Sequence, residues 1–234
     1  WEDMSLTLAS EGVSASMGDT QYADSLQVAL SLPASVDLDA MHFALRKATL
    51  QVNEFALQLD GTADVTDSIG LDMSVCAREW QIKPLLALLP ASLTDMLREI
   101  EVDGMVSLQA DVRGVYSEAQ MPQVDAHIVL ADGEGKYAAL PYTLRDVALD
   151  ADAHIDLNDD KASRVQIHSL AAKTRDTQVE AAGEVSELMA DMLLDLQLNA
   201  DVHLPDIAYF LPESMQMEGD AEGKVSAKIR LSDL

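Results

Sequence analysis

The chain has 234 residues, of which 48% are hydrophobic and only 4% aromatic, and a net charge of −26 at pH 7. This length and apolar content exclude a disordered chain and allow a sizeable core, built mainly from aliphatic side chains. The acidity argues against nucleic-acid binding, which needs a basic surface, and against adsorption to anionic lipid headgroups, but not against binding of uncharged lipid tails.

Apolar and polar residues alternate with a period of two along much of the chain, which predicts long β-strands with one apolar and one polar face. In chain order the pattern is clearest at Ser5–Ser10, Val106–Arg113, Val147–Leu157 and Leu194–Leu204. Turn residues are expected between the strands, at Glu11-Gly12, Asp60-Gly61, Asp103-Gly104, Asp132-Gly133, Asn158–Asp160, Gly183 and Glu218-Gly219. The short spacing favours hairpins and therefore antiparallel pairing.

The alternation is interrupted in two places. Between Ile82 and Ile100, a capping-box pattern that starts at Ser92 predicts a short helix at about 92–100. The segment from Pro205 to Pro212 predicts one irregular or helical turn, and Ser186–Met192 predicts another short helix. No stretch approaches the roughly 18 apolar residues that a membrane-spanning helix needs.

The two interruptions and their flanks resemble each other, which indicates an internal repeat. Gly61 aligns with Gly183, and Leu89-Pro90 aligns with Leu211-Pro212 at the same offset. We therefore predict one continuous repetitive β structure over residues 1–234, containing about two copies of a unit of roughly 120 residues. The copies are placed at approximately 43–165 and 166–234, and residues 1–42 form the end of a preceding unit.

Stacked units of this kind predict an all-β, elongated antiparallel sheet of long strands with one or two short helices. One long apolar surface would run along the sheet. If a second sheet covers that surface, the fold is a closed β-sandwich; if nothing covers it, the surface is a groove much larger than the apolar patches that monomers normally expose. The alternation of residues fits both architectures.

No catalytic, cofactor-binding or metal-binding residue is predicted. The glycine pattern at Gly133–Ala138 resembles a dinucleotide fingerprint, but Pro141 follows and no helix does, so a hairpin turn is expected. Asp156–Asp160 resembles the start of an EF-hand loop, but Lys161 and Ile167 occupy the positions of the turn glycine and the bidentate glutamate, which indicates a polar turn.

The histidines and paired carboxylates are interpreted as polar-face residues of strands. The five histidines form no H-x-H pair, although metal ligands or a catalytic dyad could still assemble in space. Asp150 and Asp152 share the polar face. Cys76 is the single cysteine, which excludes an internal disulfide and a thiolate zinc site. The histidines are His42, His127, His154, His168 and His203.

Three phrases resemble the C-terminal region of AsmA-like proteins of the AsmA/TamB type. They are Leu85–Pro90, then Val102–Gly114, then Met121-Pro122. In that family, an L-x-x-L-L-P stretch precedes an alternating strand flanked by glycines and then a proline. Phe210–Pro212 and Met217–Lys228 repeat the phrase without the trailing glycine and proline.

The resemblance implies membership of the bridge-like lipid-transfer superfamily, in which strands curl into a U-shaped groove with an apolar floor. Such proteins are anchored in the inner membrane of Gram-negative bacteria by an N-terminal helix and extend into the periplasm. They are implicated in phospholipid movement and outer-membrane biogenesis, and they offer no catalytic residues. This sequence starts at Trp1 without the anchor, so we expect an excised periplasmic piece of a tethered protein.

Together these observations predict a non-enzymatic periplasmic segment, without a cofactor, that shields or conducts phospholipid acyl chains along an apolar groove. The alternative is a structural or scaffolding module that assists outer-membrane protein assembly through exposed strand edges. Phospholipid acyl chains are the expected partners in the first case and outer-membrane assembly proteins in the second. The lipid-facing residues cannot be assigned from the sequence.

Overall fold

A computed structural model describes residues 2–17, 20–86, 100–137, 142–207 and 217–233. These residues form twelve β-strands and two short helices, α1 (Ile82–Leu86) and α2 (Leu204–Ile207), and end in a 3₁₀ turn at Leu231–Asp233. The strands are β1 (Glu2–Met17), β2 (Thr20–Asp37), β3 (His42–Val52), β4 (Phe55–Val65), β5 (Ile69–Gln81), β6 (Ile100–Tyr116), β7 (Gln123–Tyr137), β8 (Thr143–Ile155), β9 (Arg164–Lys173), β10 (Gln178–Ser186), β11 (Leu193–His203) and β12 (Asp220–Arg230).

All twelve strands belong to one antiparallel sheet whose spatial order is the order of the sequence. Each strand packs against its sequence neighbours, and no second sheet faces this one in the described part of the chain. The predicted all-β class, the antiparallel pairing and the short helices are confirmed. The sheet is open, so the closed sandwich is not the architecture.

Several glycines that were expected to mark turns lie inside strands instead. Gly12 is in β1, Gly61 in β4, Gly104 in β6 and Gly133 in β7, and Gly183 is in β10. The turn predictions at these five positions are wrong. A glycine within a strand marks a bulge or a close backbone approach. Because these glycines do not end the strands, the strands are 9 to 18 residues long.

Bulges interrupt many of the strand pairs and bend the sheet. Lys47, Glu79, Asp132 and Asp146 each adopt a left-handed φ of about 50° at or beside a shift in register. Side chains of neighbouring strands hold two of these bulges: the Lys47 amide donates to the Asp60 carboxylate at 2.7 Å, and the Glu79 amide donates to a serine hydroxyl at 3.0 Å. Because a bulge increases local twist and bending, the long sheet curls.

The same close approach recurs in two halves of the sheet. Gly61 in β4 has a φ of 140° and Gly183 in β10 a φ of 146°. A Cβ atom at Gly61 would lie 2.2 Å from the carbonyl oxygen of Asp72, and one at Gly183 would lie 2.2 Å from that of Asp195. In each half, a helix then begins directly after the following strand, at Ile82 and at Leu204. The boundaries of the repeating units stay a prediction.

The helix predictions have different outcomes. The first interruption begins with α1, which carries Pro84 in its first turn, where a missing backbone N–H costs nothing. The helix expected at about 92–100 falls outside the described residues, except that Ile100 starts β6. The turn expected at 205–212 is helical over its described part, in α2.

The helix expected at Ser186–Met192 is wrong, because this segment is the turn between β10 and β11. Ser186 closes β10, Glu187 has a φ of 56°, and the Ala190 amide donates to the Glu187 carbonyl at 2.9 Å. Arg230 of β12 holds the turn through the Glu187 carboxylate at 3.2 Å, which lowers the pKa of that carboxyl.

Candidate functional site

The register gives every strand a common apolar face. One row of directly paired residues crosses all twelve strands and contains only apolar side chains and one glycine. In order from β1 to β12, the row is Leu8, Leu30, Leu50, Leu57, Ala77, Leu108, Ile128, Ala151, Ile167, Gly183, Leu196 and Ala227.

The neighbouring row faces the other way and is polar at every position except Cys76. From β1 to β12 it consists of Thr7, Ser31, Thr49, Gln58, Cys76, Gln109, His127, Asp152, Gln166, Glu184, Asp195 and Lys228. The period-two pattern therefore stays in phase across eleven strand pairs. Because adjacent strands are about 4.8 Å apart, the apolar face extends over a contour of about 50 Å.

The apolar face has no covering layer of described residues. The chain exposes 15,416 Å² of surface, whereas a compact monomer of 25.3 kDa would expose about 10,000 Å². Only seven described apolar residues are buried, and five of them are alanines. The larger aliphatic residues of the face stay partly exposed. An open apolar surface of this extent is larger than the apolar patches that monomers normally expose.

Two aromatic side chains, Phe55 and Trp80, form a defined contact beside the apolar row. The rings of Phe55 and Trp80 lie 5.0 Å apart at an angle of 57°, and Phe55 is only 3% exposed. The indole N–H of Trp80 donates to the Ala56 carbonyl at 3.2 Å. Trp80 pairs with Val106 of β6 and so lies beside the apolar row. This contact was not predictable from the sequence, because it depends on the bulge in β5.

All five histidines make cross-strand contacts with aspartates. His127 and His168 share Asp152, at 2.8 and 2.7 Å from its two oxygens. Both hydrogen bonds lower the pKa of the Asp152 carboxyl, that of His168 more strongly. The remaining pairs are His154–Asp125, His203–Asp220 and His42–Asp64.

These pairs are ladders of exposed and half-buried polar side chains across the sheet. Asp150, which shares this face, lies 3.8 Å from the ring nitrogen of His127. The described residues contain no group of three or more side chains that could hold a metal ion. Asp-x-His occurs in both β7 and β8, but the sequence does not show which aspartate meets which histidine, because the pairs follow only from the register.

The His203–Asp220 pair predicts a raised pKa for the His203 imidazole, which a titration can measure. The hydrogen bond from the imidazole to Asp220 raises the pKa of His203 above its ordinary value of 6.5, and charges on Asp176 and Asp206 add to the effect. A raised folded-state pKa stabilises the fold fully below about pH 6.5, and this contribution disappears as pH rises through the raised pKa. An NMR titration should give a value above 6.5 in the wild type and a lower one in Asp220→Asn. Identical titrations would contradict the pairing.

The two motif-like segments have structural roles. Gly133 and Gly135 lie in strand β7 and not before a helix. Asp156 lies in the turn after β8, where its carboxylate accepts hydrogen bonds from Gln123 at 2.6 Å and from the backbone and side chain of Asn158 at 2.9 and 2.8 Å. These donors occupy the carboxylate and lower its pKa, so the segment is a turn that is held in part by β7.

Neither described helix is long or apolar enough to cross a bilayer. Comparisons with protein-family models, with curated proteins and with solved structures found no match to this chain.

Proposed function

We propose that the apolar face binds phospholipid acyl chains and that the chain is a non-enzymatic segment that shields or conducts them. The observation that carries this proposal is the unbroken apolar row from Leu8 to Ala227, with no covering layer in the described part of the chain. In a closed core, the protein itself would cover this row and its side chains would not be accessible to a ligand. An acyl chain is a partner of matching chemistry, because it is uncharged, flexible and long.

The free energy of burial supports an acyl-chain ligand. Each buried CH₂ group contributes roughly 0.8 kcal/mol, so ten such groups supply about 8 kcal/mol before the cost of ordering the chain. The same burial would cover the exposed aliphatic side chains of the sheet.

The charge distribution supports a one-sided mode of binding. The polar face carries the Asp and His ladders. The net charge of −26 favours solubility of a sheet whose other face is apolar. The acidic face would repel anionic headgroups and leave the tails to meet the apolar side. With the family resemblance, we infer a periplasmic, inner-membrane-tethered AsmA-like protein that serves outer-membrane biogenesis.

Site-specific photocrosslinking tests the proposal. A photoreactive amino acid at Leu108 or Leu196, both in the apolar row, should capture phospholipid that mass spectrometry then identifies. The same amino acid at Gln109 or Gln197 should capture none, because these neighbours face the polar side. Equal capture from both faces would contradict the proposal. Adducts with outer-membrane assembly proteins in place of lipid would support the scaffolding alternative.

A further inference from the structure

We propose that one rim of the sheet is a docking surface for a basic amphipathic helix of a partner protein. This turn rim consists of the five turns that follow the even-numbered strands β2 to β10, at residues 38–41, 66–68, 117–122, 156–163 and 187–192. The turns lie at the same end of the sheet because the strands alternate in direction. The proposal concerns this rim and not the apolar face, so it does not depend on acyl-chain binding.

The turn rim exposes large apolar side chains at four of its five turns. Turns are normally built from Gly, Pro, Asn, Asp and Ser. Here Leu38 and Met41 lie in the first turn, Met121 in the third, Leu157 in the fourth and Met189 in the fifth, and each is between 41% and 63% exposed. Methionine is common on surfaces that accept amphipathic helices, because its side chain is flexible and polarizable.

Hydrogen bonds between neighbouring turns hold the third, fourth and fifth turns together. The Met121 amide donates to the Asn158 side-chain oxygen at 2.8 Å, and the Asn158 side-chain N–H donates to the Met121 carbonyl at 2.8 Å. The Leu188 amide donates to the Ser163 carbonyl at 3.1 Å. The apolar side chains of these turns are therefore carried on a preformed surface, which lowers the cost of ordering it when a partner binds.

The spacing along the turn rim fits an α-helix. Met121 precedes β7 and Leu157 follows β8, and adjacent strands are about 5 Å apart. The turn that contains Met189 lies about two strands further along, or roughly 10 Å. Because a helix rises about 1.5 Å per residue, residues three and seven positions apart are separated by about 4.5 and 10.5 Å. A helix with apolar residues at heptad positions a and d can therefore contact all three side chains.

The charge of the turn rim selects a basic partner. The five turns contain eight acidic residues and one cation, Lys161. Glu187 and Asp191 already pair with Arg230, and Asp156 is occupied by hydrogen bonds. The other five carboxylates form no ion pair with any described residue, and they are Asp39, Asp67, Glu118, Asp159 and Asp160. Lysine and arginine beside the apolar stripe of a helix would meet these charges, whereas an anionic membrane surface would be repelled.

A labelled helical peptide tests this docking surface on the full chain. The probe has about three heptads, with leucine at positions a and d and lysine elsewhere, and its fluorescence anisotropy reports binding. We expect one peptide to bind per chain, with an affinity that falls as salt rises. Replacing three apolar side chains of the rim together, by Met121→Ser, Leu157→Ser and Met189→Ser, should weaken binding by about tenfold or more.

Two further variants separate the rim from the rest of the surface. The control combines Leu144→Ser at the opposite rim with Leu198→Ser on the apolar face, at side chains that are also exposed, and should bind the peptide like the wild type. Glu118→Gln combined with Asp160→Asn removes two unpaired charges, so binding should weaken by about threefold and depend less on salt. Circular dichroism confirms that each variant is folded.

Four results would overturn the proposal. Unchanged affinity in the triple variant would exclude the turn rim, and an equal loss in the control variant would place the peptide on the apolar face. Equal binding of a peptide with the same composition in shuffled order would show that charge alone drives the contact. Cosedimentation of the wild type, but not of the triple variant, with phosphatidylcholine vesicles would make the rim a membrane contact in place of a helix site.

Discussion

Replacing Gly61 by alanine should destabilise the fold by about 3 kcal/mol or more. The φ of 140° is a conformation that side chains rarely adopt, which costs about 1–3 kcal/mol. The new Cβ would also lie 2.2 Å from the Asp72 carbonyl oxygen and 2.7 Å from the Met73 Cα, and forcing backbone apart adds about 1–3 kcal/mol. Gly183→Ala should have the same effect, because its surroundings in β10 and β11 are the same.

Two other glycines separate the effect of the φ angle from the effect of the close contact. Gly12 has a φ of 71° but no atom within 4 Å of its missing Cβ, so Gly12→Ala should cost only the backbone term of about 1 kcal/mol. Gly223 in β12 has neither a left-handed φ nor a neighbour within 4 Å, so Gly223→Ala should change stability by less than about 0.5 kcal/mol. Urea unfolding followed by circular dichroism measures all four variants. Similar midpoints for Gly61→Ala and Gly223→Ala would show that β4 and β5 do not approach so closely.

The alternation of the sequence was enough to predict the fold class and the two faces. This succeeded because the side-chain period of a strand is two, and one phase error would have turned a whole strand over. Segments such as Val106–Arg113 and Leu194–Leu204 contain the pattern without ambiguity. The uncovered face of the sheet was not predictable, because the same alternation suits a closed sandwich.

Glycine was the least reliable signal, and the reason is physical. A residue that tolerates unusual φ values serves both in turns and where two backbones approach closely. The sequence around Gly61 or Gly183 does not distinguish these uses, since the distinction depends on the carbonyl of the neighbouring strand. The bulge at Glu79 was likewise hidden, because its amide is held by Ser107, 28 residues away.

The candidate site was predicted as a surface but not as a set of residues. Alternation identifies the apolar side chains of each strand, whereas only the register shows that they join into one row. The pairing of His127 and His168 on one carboxylate was hidden in the same way, because these residues lie on β7 and β9 with Asp152 between them on β8.

Brominated acyl chains bound to the apolar face should quench the fluorescence of Trp80. The chain has two tryptophans, so Trp1→Phe leaves Trp80 as the only reporter. Its indole is fixed against Phe55 and by its hydrogen bond to Ala56, beside the apolar row. Loading with a phospholipid brominated on its acyl chains should remove most of the emission, because bromine quenches on contact. The unbrominated lipid should not.

A matched variant moves the reporter to the opposite face. With Trp1 and Trp80 replaced by phenylalanine and Gln109 by tryptophan, the indole projects from the polar side of β6. The brominated lipid should leave its emission unchanged, whereas acrylamide in water should quench it. Leu108→Asp in the Trp80 reporter adds a charge to the apolar floor and should restore emission in brominated lipid. Quenching of the Gln109 reporter as strong as that of Trp80 would mean that lipid adsorbs to the sheet without regard to its faces.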